Sequence, residues 1–431
     1  MIAWLVLGLV LLPVSLLAAA LCWLLAALWR ARQNTGAASQ RARPPLKTLP
    51  LWIRRCLLGF GLLSLLSLLA VARPELHLAG WLGRYGLLSG LYLLSLWLLK
   101  QPAHSKSRPL PLQGLLPGLL GGSLLAAMIG LGNALLNWSL VVQSLCWPGI
   151  ENACLIYLYL APESRATGLA MHSNVLGSLL AVSLPFWLLT LGARQSLLRR
   201  LVVLLSLLCI VGALILTQSR AAWISGALGS LLAARLFLSA SWRQGLAGTG
   251  LAGLGLSLWL WPAGWQLISQ RLLALFHPLD SSGTRLQIWA SGLQMLRESW
   301  ASGIGLLHFE WRYPAYAVSD VPAAHLHNSY LQSAVESGLP AVLLLWAALL
   351  GLLGSPRHLS PAGQAAWLSW GIWLLSALAD CTFFDLRLSC WLVLCLVLIR
   401  LDRAQVQQWH TLKRQLGEEV RQATEQALGT F

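Results

Sequence analysis

Four short polar segments interrupt an otherwise apolar chain, and their residue types are those of phosphate recognition and proton transfer. Arg165-Ala166-Thr167-Gly168 stands just before His172-Ser173-Asn174, and Thr217-Gln218-Ser219-Arg220 closes one apolar run and opens the next. Arg285 opens a helical pattern of Trp289, Leu293, Leu296 and Trp300 behind the start signal Asp280-Ser281-Ser282-Gly283-Thr284. His325-Leu326-His327-Asn328-Ser329-Tyr330-Leu331-Gln332 leads on to Glu336-Ser337-Gly338-Leu339-Pro340. A guanidinium offers a planar fork of donors that matches two phosphate oxygens, which makes Arg165, Arg220 and Arg285, placed at headgroup depth, candidates for gripping a lipid phosphate. Snorkelling to headgroups, or pairing with a carboxylate, accounts equally well for any single one of them. The neutral imidazole of His327, with an ordinary pKa near 6.5, can take a proton from a hydroxyl; a packed or helix-capping histidine is the competing reading. His325 and His327 could also be two metal ligands, but no paired outer carboxylates or D-x-D accompany them, and neither a metal nor another cofactor is expected.

The elements that must position these residues are membrane helices. The 431 residues are 57% hydrophobic and 10% charged, with a mean hydropathy of +0.68, where a soluble domain carries about 25% charged residues. The formal charge of +16 does not point to nucleic acid, because the basic residues sit in short gaps between long apolar runs rather than on a surface. Eight Cys show no C-x-x-C and no zinc-like alternation with His. A hydrocarbon core of about 30 Å needs about 20 apolar residues as helix. On that basis the chain is an all-α, polytopic transmembrane bundle of about eleven spans, ten to twelve being compatible, near 2–29, 56–72, 85–99, 112–132, 173–191, 201–217, 222–238, 246–262, 331–353, 364–380 and 387–400. The whole of 1–431 reads as one integral membrane domain, with a large outer loop at 263–327 and an amphipathic cytoplasmic tail at 401–431. Residues 133–172, broken by Pro148, Gly149 and Pro162, read as re-entrant or interfacial helices.

Sidedness follows from where Lys and Arg fall. Assigning alternate gaps to the inside collects 21 basic residues against four acids, and all four Lys; the opposite gaps hold nine Arg and ten acids. This predicts a multi-pass plasma (inner) membrane protein with the N-terminus outside and the C-terminus cytoplasmic, and it puts all four polar segments on the outer face. Choosing Arg at every outer basic position favours bidentate recognition over mere snorkelling. Many of the 23 Trp stand at span ends and read as interfacial anchors. Asn328, Gln332 and Glu336 fall on one helical face at i, i+4 and i+8, a polar ladder that must pack inward where it enters the membrane.

Taken in order, Arg165 to Gly168 with His172-Ser173-Asn174, Gln218-Ser219-Arg220-Ala221-Ala222-Trp223, Thr284-Arg285 through Trp289 to Gly303-Ile304-Gly305, and His327 through Gln332 to Pro340 resemble the O-antigen ligase and O-antigen polymerase superfamily. The likeness covers roughly residues 160–350. It implies a metal-independent glycosyltransferase that moves a glycan from a polyprenyl-diphosphate donor to a hydroxyl of a glycan, lipid or protein acceptor, among membrane lipids and with no nucleic-acid partner. Arg220, Arg285 and His327 stand where the family binds diphosphate and performs catalysis, with Arg165 as a further diphosphate contact. His325, Asn328, Tyr330, Gln332, Glu336 and Asn174 stand in supporting positions. His172-Ser173, Ala221 and Pro340-Ala341 depart from the family's usual residues and leave the subfamily open.

Elementary chemistry agrees with that implication. A glycosyl diphosphate needs its departing charge held and the incoming hydroxyl deprotonated, tasks that two Arg and one His can divide, with inversion if attack comes from the far side. Two other classes compete: a secondary transporter of an inorganic anion such as bicarbonate, and a membrane scaffold. A transporter would favour polar groups near mid-membrane and repeated halves, whereas these polar residues gather at the outer mouth. The topology is tested with single cysteines: those at Ser282 and Ser319 are expected to react with an impermeant thiol reagent added to intact cells, and one at Ser39 is not. Labelling at Ser39 would reverse the assignment.

Overall fold

The computed structural model describes residues 2–12, 16–34, 49–99, 114–136, 140–146, 154–160, 165–168, 172–248, 262–273, 281–318, 322–382 and 385–428. It is a helical membrane protein in which five helical segments among the described residues are long and apolar enough to cross a bilayer: Leu51–Leu69, Pro74–Leu99, Leu116–Leu136, Ser173–Gly192 and Leu197–Leu216. Further helices stand at four of the other expected spans, Arg220–Phe237, Leu339–Leu353, Pro361–Ser376 and the start of Leu386–Leu428. Most of the span expected at 246–262 lies outside the described residues.

The centre of the bundle is α7 (Ser173–Gly192), buried along most of its length because it is apolar on every side. Helices α6 (Leu116–Leu136), α8 (Leu197–Leu216) and α9 (Arg220–Phe237) pack around it, as does Pro361–Ser376. With lipid outside, helices do not associate by hydrophobic burial alone, and small residues that admit close backbones take over that role. An added Cβ at Gly177 would sit 3.0 Å from the Ala222 side chain, and one at Gly226 3.2 Å from Ala181. Hydroxyls add interhelical bonds, with Ser369 Oγ donating to the Val182 carbonyl at 2.6 Å and Ser178 meeting Ser376 at 3.1 Å. The opposite faces carry leucines turned outward, as at Leu198, Leu205 and Leu208 on α8, where lipid is the solvent.

Two expectations are corrected. The single span at 2–29 is two helices, α1 (Ile2–Leu11) and α2 (Leu16–Asn34), folded back on one another, with Gly8 of α1 lying directly against Trp23 of α2. Pro13 stands between them in sequence, where its missing N–H and ring interrupt helical continuity. A hairpin returns the first residues toward the side on which α2 ends, so an outside N-terminus does not follow from these two helices. The second correction concerns 133–172: between α6 and α7 the chain forms an antiparallel strand pair, β1 (Leu140–Cys146) with β2 (Cys154–Leu160), in register from Leu140 opposite Leu160 to Cys146 opposite Cys154. Val141, Val142, Ile156, Tyr157 and Tyr159 favour extended backbone, and Pro148-Gly149 falls between the runs in sequence.

The segment expected as a large outer loop, 263–327, carries helices among its described residues, α10 (Pro262–Leu273), α11 (Ser281–Ser299) and the short α12 (Phe309–Arg312). Ile288 and Met295 of α11 pack with Ile304, Phe309, Tyr313, Leu326 and Val335 in a small core of their own. The expected ninth span is broken in two, α13 (Ser329–Ser337) and α14 (Leu339–Leu353), by Gly338 at φ +81°. The irregular segment 300–305 crosses this break: Ile304 N donates to Val335 O at 2.9 Å, Gly305 N to Glu336 O at 3.0 Å and Leu339 N to Trp300 O at 2.7 Å. Gly303, at φ +72°, lies so close to the Glu336 carbonyl that no Cβ fits, which explains the Gly303-Ile304-Gly305 motif. After α15 (Pro361–Ser376), α16 (Leu386–Leu428) runs for 43 residues, so the segment expected as a separate tail continues the last span as far as Leu428.

This packing makes glycines unequal. Gly303→Ala is expected to lower the thermal unfolding midpoint in detergent, because steric conflict joins a left-handed backbone that costs about 1–3 kcal/mol. Gly371→Ala in α15, where an added Cβ meets nothing within 4 Å, is expected to raise it slightly, by the roughly 0.5–1 kcal/mol helix preference for Ala. Equal midpoints for the two variants would contradict the crossing described here.

Candidate active site

The site is built where α13 begins. Asn328 caps that helix, its Oδ1 accepting from the backbone N–H of Tyr330 and Leu331 at 3.0 Å each. The same residues fasten the helix start to the loop that follows α15. Asn328 Nδ2 donates to Leu378 O at 3.0 Å, Asn328 N to Cys381 Sγ at 3.1 Å, and Ser329 Oγ to Asp380 O at 2.9 Å. Ser329 N reaches Ala377 O at 2.9 Å. These bonds bring together two residues far apart in sequence: His327 Nδ1 lies 3.6 Å from Asp380 Oδ1, with the Asp380 side chain almost wholly buried. The other contact of Oδ1 is the backbone N–H of Cys381 at 2.8 Å.

His327 is held in the left-handed region, φ +50°, which is uncommon outside glycine and marks a backbone constrained by its surroundings. The ring of His325 stands edge-on to it with centroids 4.1 Å apart, and His325 Nδ1 accepts the His327 N–H at 3.4 Å. Between them Leu326 is gripped on both sides, its carbonyl by Trp289 Nε1 of α11 at 2.7 Å and its N–H by Gln332 Oε1 at 2.7 Å. Gln332 Nε2 donates to Glu336 Oε1 at 3.0 Å, so the polar ladder does pack inward. Its last carboxylate oxygen is met by Arg84 Nη1 at 2.9 Å.

Charge settles how these groups ionise. Burial alone would raise the Asp380 carboxyl, but the contact with His327 and the nearby His325 and Arg285 outweigh it and hold Asp380 at about 2. Burial lowers His325 to about 4, aided by His327, His172 and Arg285 and opposed by Asp380. Arg285, the fifth residue of α11, acts electrostatically on both His325 and Asp380. An imidazole whose Nδ1 faces a carboxylate carries its proton there and leaves Nε2 to accept another. Such a pair is suited to removing a proton from a hydroxyl, since the buried carboxylate stabilises the imidazolium that results. Among the described residues no group of three or more His, Cys, Asp or Glu side chains is disposed to hold a metal ion.

Arg165 and Asn174 belong to a neighbouring cluster. Arg165 Nη2 donates to Asn174 Oδ1 at 3.2 Å and its Nε to the Thr217 carbonyl at 2.9 Å, tying the 165–168 segment to the turn that precedes Arg220. Gln218 in that turn is left-handed, φ +53°, and Arg220 is the first residue of α9. His172 joins the two clusters: it caps α7 by accepting the Asn174 N–H on Nδ1 at 3.2 Å, and its charge acts on His325. Tyr330 faces the bundle instead, donating to Leu374 O at 2.8 Å and packing on Trp346. Asp380 and Arg84 are the members that sequence reading does not single out, and His172 enters it only as a departure from the family's usual residues. For Asp380 the available signal was an acid at the outer end of an apolar run, opposite a histidine with no acidic neighbour.

The lowered His325 value has a consequence for stability. The unfolded chain takes up a proton at this residue below its ordinary pKa of 6.5, which the folded protein refuses until about 4, so stability falls as pH drops through that window. His325→Gln is expected to make the acid-side decline of the thermal midpoint shallower between pH 6.5 and 4 than in the wild type. Superimposable pH profiles would show that His325 is protonated as readily folded as unfolded.

No curated protein matches this chain. A family model does, and the matched segment runs from α8 through α9, α11 and α13 into α14, enclosing Arg220, Arg285, His325, His327 and Glu336 while leaving out Arg84, Arg165 and Asp380. Over residues 205–346, the stretch that supplies the histidine pair and two of the candidate phosphate-binding arginines, the chain matches the O-antigen ligase family, Wzy_C.

Proposed function

We propose that the protein is a glycosyltransferase of the outer face of the inner membrane that joins a glycan, carried on a polyprenyl diphosphate, to an acceptor hydroxyl. The observation that carries this reading is the His327 imidazole set against a buried carboxylate, with the charge of Arg285 acting on the same place, inside the segment that matches the O-antigen ligases. The excess of basic residues in the opposite set of loops and in the tail supports an outer site and a cytoplasmic C-terminus.

In this reading His327 Nε2 takes the proton from the acceptor hydroxyl as its oxygen attacks the anomeric carbon, and Asp380 stabilises the imidazolium. The bond from that carbon to the diphosphate oxygen breaks with both electrons going to the leaving group. Arg220 and Arg285 hold the charge that develops there, the part of the reaction where fixed donors contribute most. Attack opposite the leaving group inverts the anomeric centre. Arg165, with Nε and Nη2 engaged by Thr217 and Asn174, braces the turn that carries Arg220. Two arginines and a histidine suffice for these steps without a metal ion.

Arg220→Lys and Arg285→Lys keep the charge but lose the fork, and a charge-assisted hydrogen bond is worth about 1.5–3 kcal/mol, so each is expected to transfer glycan at least roughly tenfold more slowly. His327→Ala is expected to insert and to bind the polyprenyl-diphosphate donor while transfer falls by about 10²–10⁴. EDTA should leave the wild type unaffected. Wild-type rates in purified His327→Ala, or abolition of transfer by EDTA, would overturn the mechanism and return weight to anion transport. Deleting the gene then separates two subtypes: loss of all polymer from its acceptor indicates a ligase, and loss of polymer length alone a polymerase.

A further inference from the structure

The catalytic histidine of the proposed reaction is not positioned by its own segment alone. Arg84 lies 252 residues before Glu336, on a π-helical turn, Trp81–Gly86, set within the Pro74–Leu99 helical segment and outside the family-matched stretch. Wider turns of this kind recur where a side chain must be re-aimed. Its guanidinium and the Glu336 carboxylate are both buried, 2.9 Å apart. A pair of charges removed from water gains little net stability over apolar residues of the same volume, so mutual attraction is a poor explanation for its presence.

What the pair does is continue. Glu336 Oε1 receives Gln332 Nε2 at 3.0 Å, which fixes the amide so that Gln332 Oε1 faces the Leu326 N–H at 2.7 Å. Leu326 is thus held on both of its peptide planes, the 326–327 carbonyl by Trp289 and the 325–326 N–H by Gln332, and the second of these cannot turn without breaking the chain of bonds that ends at Arg84. The next residue is His327, left-handed and turned toward Asp380. We propose that Arg84 is a positioning residue, acting through Glu336 and Gln332 on the Leu326 peptide to set the backbone conformation that aims His327. The inference rests on the glycosyltransferase reading only for its kinetic consequence; the structural consequence stands apart from the reaction.

The test uses the full-length protein in lipid nanodiscs, with amide hydrogen exchange read at Leu326 and at α7 as an internal standard of folding. Arg84→Gln strands the Glu336 charge, and it is expected to speed exchange at Leu326 about tenfold or more while α7 stays protected, the loss of one charge-assisted bond setting the scale. Gln332→Leu, which deletes the direct bond, is expected to do the same. The double variant Arg84→Gln/Glu336→Gln replaces the ion pair by neutral amides that can still orient Gln332, and it is expected to restore slow exchange. It also serves as the readout should Arg84→Gln fail to accumulate. In glycan transfer the single variants are expected to lose turnover by about the same factor with donor KM within about twofold, and the double variant to regain it. Wild-type exchange at Leu326 in a folded Arg84→Gln or Gln332→Leu protein, or fast exchange in the folded double variant, overturns the positioning role whatever the reaction. Absence of transfer in the wild type defeats the proposed function instead and leaves the exchange result to decide the positioning.

Discussion

A buried carboxylate has to be answered completely, and much of this architecture is organised around how Glu336 is answered. Its two side-chain oxygens meet Gln332 and Arg84, and its backbone carbonyl meets Gly305, so three distant parts of the chain converge on one residue. The helix break at Gly338, the glycines at 303 and 305 and the π-helical turn at 81–86 are the backbone irregularities that this convergence requires. In a hydrocarbon setting each such irregularity is tolerated because protein, and not lipid, receives the freed backbone groups.

The sequence disclosed those parts of the fold that depend on local pattern. Apolar length marked α7 and α8, the start signal before Arg285 marked the neighbourhood of the α11 start, which lies four residues earlier at Ser281, and the spacing of Asn328, Gln332 and Glu336 foretold a ladder that packs inward. Pairings across long separations left no such trace. Asp380 and Arg84 counted in the sequence as one acid and one base among the outer loops, because what distinguishes them is a partner 53 and 252 residues away. The β1–β2 hairpin is hidden for a different reason: proline and glycine signal a break between interfacial helices as readily as a hairpin turn, and only the extended preference of the flanking valines, isoleucine and tyrosines separates the two. The first span reads as one helix because hydropathy is blind to the reversal of direction from α1 to α2.

The residue roles separate by what each side chain touches. His325, His327, Asp380 and Arg285 share one electrostatic environment at the mouth of α13, whereas Arg165 and Asn174 spend hydrogen bonds on each other and on the Arg220 turn. Tyr330, inside the same motif as His327, turns to Leu374 and Trp346. A contiguous motif therefore mixes reactive, bracing and packing positions, and only its fold sorts them.

The length of α16 bears on where such a site can sit. The helix is capped at its start by Asp385, five residues after Asp380, and is anchored again where Arg403 binds the Leu352 and Leu353 carbonyls at the end of α14 and Asp402 binds Ser360 at the start of α15. Seventeen residues separate Asp385 from Asp402, roughly 26 Å of rigid rise. That rod works as a ruler: by counting residues it sets the distance between the Asp380 loop and the contacts at Leu352, Leu353 and Ser360, independently of what surrounds the helix. A bilayer thicker than the ruler has to thin itself at the protein, or the protein has to tilt, before a lipid-borne headgroup comes level with the histidine.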